Sequence, residues 1–139
     1  MYSHRFDAKL KSDVNTVLFL TQAMAFGGSL KNLKMLFANS CDFEGMGIAT
    51  IAASLCTNNE VSLQTLHLGG NITRVDGARA CSQLAKLLTI SPSLQDLNIS
   101  ENAFSLHGLV DLAEAIKTSN VLEILTMERI PLEKVFPES

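Results

Sequence analysis

Charge is scarce in this chain of 139 residues: Lys and Arg number 11 and Asp and Glu 14, together 18% of the sequence, with a formal net charge of −3. The basic residues never gather into a run, so phosphate-backbone binding is not expected to be the main task and nucleic acid is not an expected partner. Long apolar runs are missing too. No stretch approaches the roughly 20 residues that cross a bilayer, and the opening MYSHRFDAKLKSD lacks a signal peptide's apolar segment, so the chain reads as soluble, without membrane insertion. Cysteine is limited to three residues, an odd count with no CxxC among them, and HExxH and carboxylate-rich loops are also lacking, so no metal site is expected. What is plentiful is apolar material. At 47% hydrophobic, the chain has ample means to fill the continuous core of one domain.

That apolar material is periodic. NLKMLFANSC, SLQTLHLGGN and SLQDLNISEN are three versions of one segment, and VLEILTMERIPL is a degraded fourth. Their leading leucines, Leu33, Leu63, Leu94 and Leu122, are separated by 30, 31 and 28 residues (63 − 33, 94 − 63, 122 − 94). Each copy follows LxxLxLxxN/CxL, with Cys41, Asn71 and Asn102 at the N/C position and Ile130 there in the fourth. Six residues further on, the first three copies carry Gly47, Gly77 and Gly108. A segment repeated at a fixed period is a stacking unit.

The first half of each copy alternates as a short strand with one buried face does. Leu36 and Ala38, Leu66 and Leu68, Leu97 and Ile99, and Leu125 and Met127 are expected to point inward. The second half changes period: Ile48, Ile51, Ala52 and Leu55, and again Leu109, Leu112, Ala113 and Ile116, mark one apolar stripe of a helix. In the middle copy the stripe Cys81, Leu84, Ala85 and Leu88 starts three residues later, which predicts a helix about one turn longer. Such short elements cannot bury their faces alone, so successive copies must stack as parallel strands on one side and helices on the other. The expected fold is α/β, a curved solenoid of about four repeats. Asn71 and Asn102 would form a ladder, turning inward to satisfy backbone groups of the turn after each strand. Cys41 is a weaker substitute, and Ile130 followed by Pro131 should end the ladder.

Residues 1–32 read as the remainder of an earlier repeat, residues 33–132 as the repeats and residues 133–139 as a tail. Val14, Val17, Leu20 and Met24 suggest a helix capped at Ser12 or Asp13 and stopped by Gly27 and Gly28. Tyr2 would hold the position of Phe43 and Phe104, which suggests a piece of a longer array lacking obvious polar caps.

Chemistry is hard to place on this frame. His4, His67 and His107 fall in an N-terminal segment, a strand and a loop before a helix, and Cys41 and Cys81 are core positions, so no Cys-His nucleophile, no catalysis and no cofactor are expected. Inward thiols of that kind fit a reducing, cytoplasmic compartment. The sequons at Asn71 and Asn98 conflict with the ladder and strand positions of those residues. Gly69-Gly70 lacks the further glycines of a phosphate loop and reads as a relaxed turn, or as a gap where another backbone approaches.

The outward strand positions remain. Met35, Phe37 and Asn39, then Thr65 and His67, then Asp96 and Asn98, then Glu128 in the fourth copy, with Glu101 and Arg129 at the rim, form the expected partner-binding face. Met35 with Phe37 is its large apolar pair, and Met and aromatic residues are enriched at interface cores. Asp96, Asn98, Glu101 and Glu128 make an acidic-polar stretch beside it.

The aligned copies resemble the leucine-rich repeat family in its longer, ribonuclease-inhibitor-like subtype, over about residues 33–132. The resemblance implies strands on a concave side and helices on a convex side. It is nearly silent on function, because the subtype includes enzyme inhibitors, innate immune receptors, a GTPase-activating protein and actin regulators. A GTPase activator would offer Asn98 and Arg129 to the nucleotide site. The opening YSHRF is similar to a turn found after a repeat strand in CARMIL-type actin regulators. The function expected from these readings is a non-enzymatic interaction module or scaffold that meets a protein partner through its strand face, with self-association through uncapped ends as a further expectation.

Overall fold

The first three copies of the leucine pattern each place one fully enclosed leucine between two half-buried neighbours, and three residues in that arrangement make a strand. A computed structural model gives the fold over residues 5–7, 33–57, 62–72 and 76–131, with the backbone alone for 5–7. Its strands are β1 (Arg5–Asp7), β2 (Met35–Phe37), β3 (Thr65–His67), β4 (Asp96–Asn98) and β5 (Ile124–Thr126). Between them lie α1 (Glu44–Thr57), α2 (Gly77–Ile90) and α3 (Leu106–Thr118).

The strands form one parallel sheet in chain order, β1-β2-β3-β4-β5. Phe6, Leu36, Leu66, Leu97 and Leu125 are partners in successive strands. The aligned leucines are thus aligned in space, and Leu36, Leu66 and Leu97 are entirely buried. The inward residues after them, Ala38, Leu68 and Ile99, are equally buried. Leu125 and Met127 pack against the core only in part, because β5 has no following strand among the described residues.

In the N-terminal strand Phe6 is in register with Leu36. Tyr2, expected to hold the position of Phe43 and Phe104, lies with Ser3 and His4 of the YSHRF segment outside the described residues. The helix expected over Val14–Met24 falls outside the described residues.

Beyond each strand the parallel pairing continues through Ala38 N to His67 O, Leu68 N to Asn98 O and Ile99 N to Thr126 O, at 2.8, 2.8 and 2.9 Å. The chain then turns through a left-handed residue at the same place in four copies: Ser40, Gly70, Glu101 and Arg129, with φ of 55°, 68°, 59° and 51°. Only the second copy has a glycine there, where no Cβ opposes the conformation. Below the turns runs the amide ladder. Asn102 Oδ1 accepts from the N–H groups of Asn71 and Ile72, both at 2.7 Å, and its Nδ2 donates to the carbonyls of Leu68 and Ile99. Asn71 repeats this one copy earlier, accepting from Cys41 N and Phe43 N and donating to Ala38 O and Leu68 O. Each buried amide thereby joins its own turn to the preceding one, and this supplies backbone groups that water cannot reach.

Helix α1 packs on α2, and α2 on α3. The stripe residues Ile48, Ile51, Ala52 and Leu55 of α1 and Cys81, Leu84 and Leu88 of α2 are buried. In α3 Leu112 is buried but Ala113 is exposed, contrary to the stripe, since no further helix covers α3 among the described residues; Ala115 turns inward instead. The extra turn expected of α2 is a displacement. Both α1 and α2 have 14 residues. Counted from the phase-locked glycine, however, α2 runs on for 13 residues (90 − 77), against 10 in α1 (57 − 47) and 10 in α3 (118 − 108). It begins later and ends one turn further along.

Two of those glycines mark where copies touch. Gly77 lies against the Ala103 carbonyl and the Phe104 backbone of the next copy, closer than a Cβ permits. A Cβ on Gly108 would stand 2.7 Å from Cys81 Cβ in the preceding copy. Bare backbone at these points lets neighbouring units close up around Cys81 and Phe104, both fully buried.

Candidate functional site

The sheet face turned away from the helices is a grid of side chains, because in-register strands carry residues about 30 apart in sequence into lateral rows. One row is Met35, Thr65, Asp96 and Ile124, and the next Phe37, His67, Asn98 and Thr126. A third, past the strand ends, is Asn39, Gly69, Ser100 and Glu128, and the left-handed Ser40, Gly70, Glu101 and Arg129 finish each copy.

The grid is cross-linked. Phe37 and His67 meet edge to face, with ring centroids 4.8 Å apart and an interplanar angle of 89°, a favoured aromatic arrangement. His67 Nε2 lies 3.3 Å from Asp96 Oδ1 on the other side, so an aromatic ring, an imidazole and a carboxylate run diagonally across three strands. Both His67 and Asp96 are about three-quarters covered. Met35 and Phe37 are half-buried, and the exposed apolar residue of the face is Ile124, 53% accessible on the last strand.

Toward the strand ends the surface becomes polar and concave. Asn39 Oδ1 accepts the Gly69 N–H at 2.6 Å, and Asn98 Oδ1 accepts the Ser100 N–H at 3.0 Å. Ser100 Oγ accepts from Glu128 N at 2.9 Å. Arg129 Nε donates to Glu101 Oε2 at 2.7 Å, and Arg129 also stands 3.9 Å from Glu128. The bond to Glu101 raises the Arg129 guanidinium above its already high ordinary value, with the Glu101 charge acting the same way. Asn39, Gly69, Asn98 and Thr126 line a pocket of about 190 Å³, with Ser100, Glu101, Glu128 and Arg129 also contributing to its walls.

All ten sequence-derived residues, Met35, Phe37, Asn39, Thr65, His67, Asp96, Asn98, Glu101, Glu128 and Arg129, lie on this one face or its rim. They divide into an aromatic-acidic half around His67 and a polar pocket around Asn98. Missed by sequence reasoning was the pocket itself; Gly69-Gly70 was expected to be a relaxed turn or a gap, and which glycine takes which role was left open. Gly70 is the turn residue with positive φ, whereas Gly69 supplies the gap: a Cβ there would lie 3.1 Å from Asn39 Oδ1 and 3.2 Å from Ser100 O. The signal was present, since Gly69 is the one outward position of its row without a side chain.

Other candidate chemistry is dispersed. His107 sits in the first turn of α3, not in the loop before it, and is exposed. Cys41 and Cys81 are buried and Cys56 is half-buried, none of them in a disulfide; burial pushes the Cys56 thiol up, against an opposing pull from Lys86. Among the described residues no three His, Cys, Asp or Glu side chains gather to hold a metal ion, and no helix is long and apolar enough to cross a membrane. No protein-family model matches the chain, and no curated protein matches it.

Proposed function

We propose that the protein is a non-enzymatic interaction module, a leucine-rich repeat solenoid of the ribonuclease-inhibitor-like kind, that binds a protein partner in a reducing, cytoplasmic setting. The fold half of this reading is supported by strand partners spaced 30, 31 and 28 residues apart (66 − 36, 97 − 66, 125 − 97) and by the amides of Asn71 and Asn102 linking turn to turn. The strands then form a concave side and the helices a convex one.

One observation carries the function half. Phe37, His67 and Asp96 touch in sequence across three strands, so an aromatic anchor is held beside a carboxylate on the face turned away from the described helices. A rigid aromatic flanked by polar groups is the usual make-up of an interface hot spot. Buried, disulfide-free Cys41 and Cys81 support the compartment.

The test is partner capture on immobilised protein, with the partner then purified and its affinity measured. Phe37→Glu should weaken that affinity about 30-fold, the equivalent of about 2 kcal/mol at a hot spot, while leaving the melting temperature within a few degrees. A folded Phe37→Glu protein that binds the purified partner as the parent does would remove this face from the interaction.

A further inference from the structure

The pocket at the strand ends has a chemistry distinct from the Phe37 half of the face, and that chemistry selects a guest. Its volume of about 190 Å³ falls below the roughly 300–1,000 Å³ of small-molecule sites, and suits a single long side chain. Two of its walls are amides that, among the described residues, use only their oxygen: Asn39 Oδ1 takes the Gly69 N–H and Asn98 Oδ1 takes the Ser100 N–H. The two NH₂ groups are left to donate to carbonyls from outside, as the backbone of an extended segment would present them. Charge decides the rest. The pocket holds two carboxylates, Glu101 and Glu128, against one guanidinium, Arg129, and Arg129 is already bound to Glu101 at 2.7 Å. An incoming anion would meet a cation that is already neutralised, with a second carboxylate, Glu128, 3.9 Å from it. An incoming cation would find Glu128 only weakly engaged, and Asp96 two residues before Asn98 adds negative charge nearby.

We propose that this pocket receives a lysine or arginine side chain from an extended segment of the protein partner, whose backbone carbonyls accept from Asn39 and Asn98. The inference rests on the strand-face reading above and adds the kind of partner it takes. The aliphatic stem crosses the opening left by Gly69, and the cationic head reaches Glu128. Binding of this kind weakens as salt rises, because the carboxylates are exposed enough to be screened.

The experiment uses the whole chain, labelled with ¹⁵N, titrated with three capped glycine-serine peptides that differ only in a central lysine, norleucine or glutamate. The lysine peptide should shift the side-chain NH₂ signals of Asn39 and Asn98 and the backbone signal of Gly69. It should bind at least about fivefold more tightly than the norleucine peptide, and the glutamate peptide should bind least. Glu128→Gln should cut lysine-peptide affinity roughly threefold, as expected for a solvent-facing ion pair, and Glu128→Lys at least about tenfold, with unchanged melting temperatures. Equal binding of lysine and norleucine, preference for glutamate, or shifts that avoid Asn39 and Asn98 would overturn the proposal. If the peptides avoid the pocket while Phe37→Glu still abolishes partner binding, the strand face stands and the pocket falls. If the lysine peptide fills the pocket but Phe37→Glu is without effect, the pocket stands and the aromatic anchor falls.

Discussion

Asn102 shows how much one side chain carries in this molecule. Almost wholly buried, it accepts from two backbone N–H groups of the preceding copy and donates to carbonyls in two copies, so its removal strands buried polar groups at about 1–3 kcal/mol each. Asn102→Ala is therefore expected to lower stability by about 3 kcal/mol in urea unfolding. A loss below about 1 kcal/mol would mean that the ladder is incidental. Ile130 holds the equivalent position in the last copy, is only half-buried, and has no amide to offer. At this scale the sequence was informative. The inward role of Asn71 and Asn102 follows from residue type and spacing alone, as does the conflict with glycosylation at Asn71, which is fully buried. The two faces of Gly69-Gly70 were not separable in the sequence, because which glycine relaxes a turn and which leaves a gap depends on φ and on what Asn39 does from 30 residues away.

Elements in the middle of the stack differ from those at its end. Leu97 in β4 has a strand on each side and is entirely buried, whereas Leu125 in β5 is flanked on one side only among the described residues and is partly open. Leu97→Ala should cost about 3 kcal/mol and Leu125→Ala about 1 kcal/mol, since the penalty scales with the apolar area lost and the cavity left. Matching losses in chemical denaturation would show that the end strand is covered as well as the middle. The same asymmetry explains where helix reading succeeded and where it slipped. The stripe of α1 reads correctly because helix α2 covers its far side, while Ala113 of α3 is exposed for want of such a neighbour among the described residues. The shifted stripe of α2 was visible, but whether it meant a longer helix or a displaced one turns on where the helix starts. That start is set by the close fit of Gly77 against the backbone of Ala103 and Phe104, a tertiary contact.

Among the described residues each strand pairs only with its neighbours in chain order and each helix packs only on the adjacent helix, and with contacts that local, stability is carried from interface to interface. Amide hydrogen exchange should accordingly be slowest through β3, β4 and α2, which are covered on both sides, and faster by at least about tenfold in α3 and β5, where less free energy opposes local opening. Uniform protection across all of these elements would instead indicate a single cooperative block. The sheet face is also a feature of this scale, since residues scattered over nearly 100 positions, from Met35 to Arg129, meet there in four rows.

Composition and period alone determined that this chain builds repeated strand-helix units, which leucines turn inward and which residues stand outward, because burial of apolar side chains leaves few ways to satisfy a pattern of that regularity. Only the tertiary structure decided that Phe6 pairs in register with Leu36, that Phe37 reaches His67 and His67 reaches Asp96, and that Gly69 opens a pocket between Asn39 and Asn98. Those facts depend on lateral distances between copies, and such distances are set by the register of the strands and the close approach at Gly77 and Gly108, which no single copy encodes.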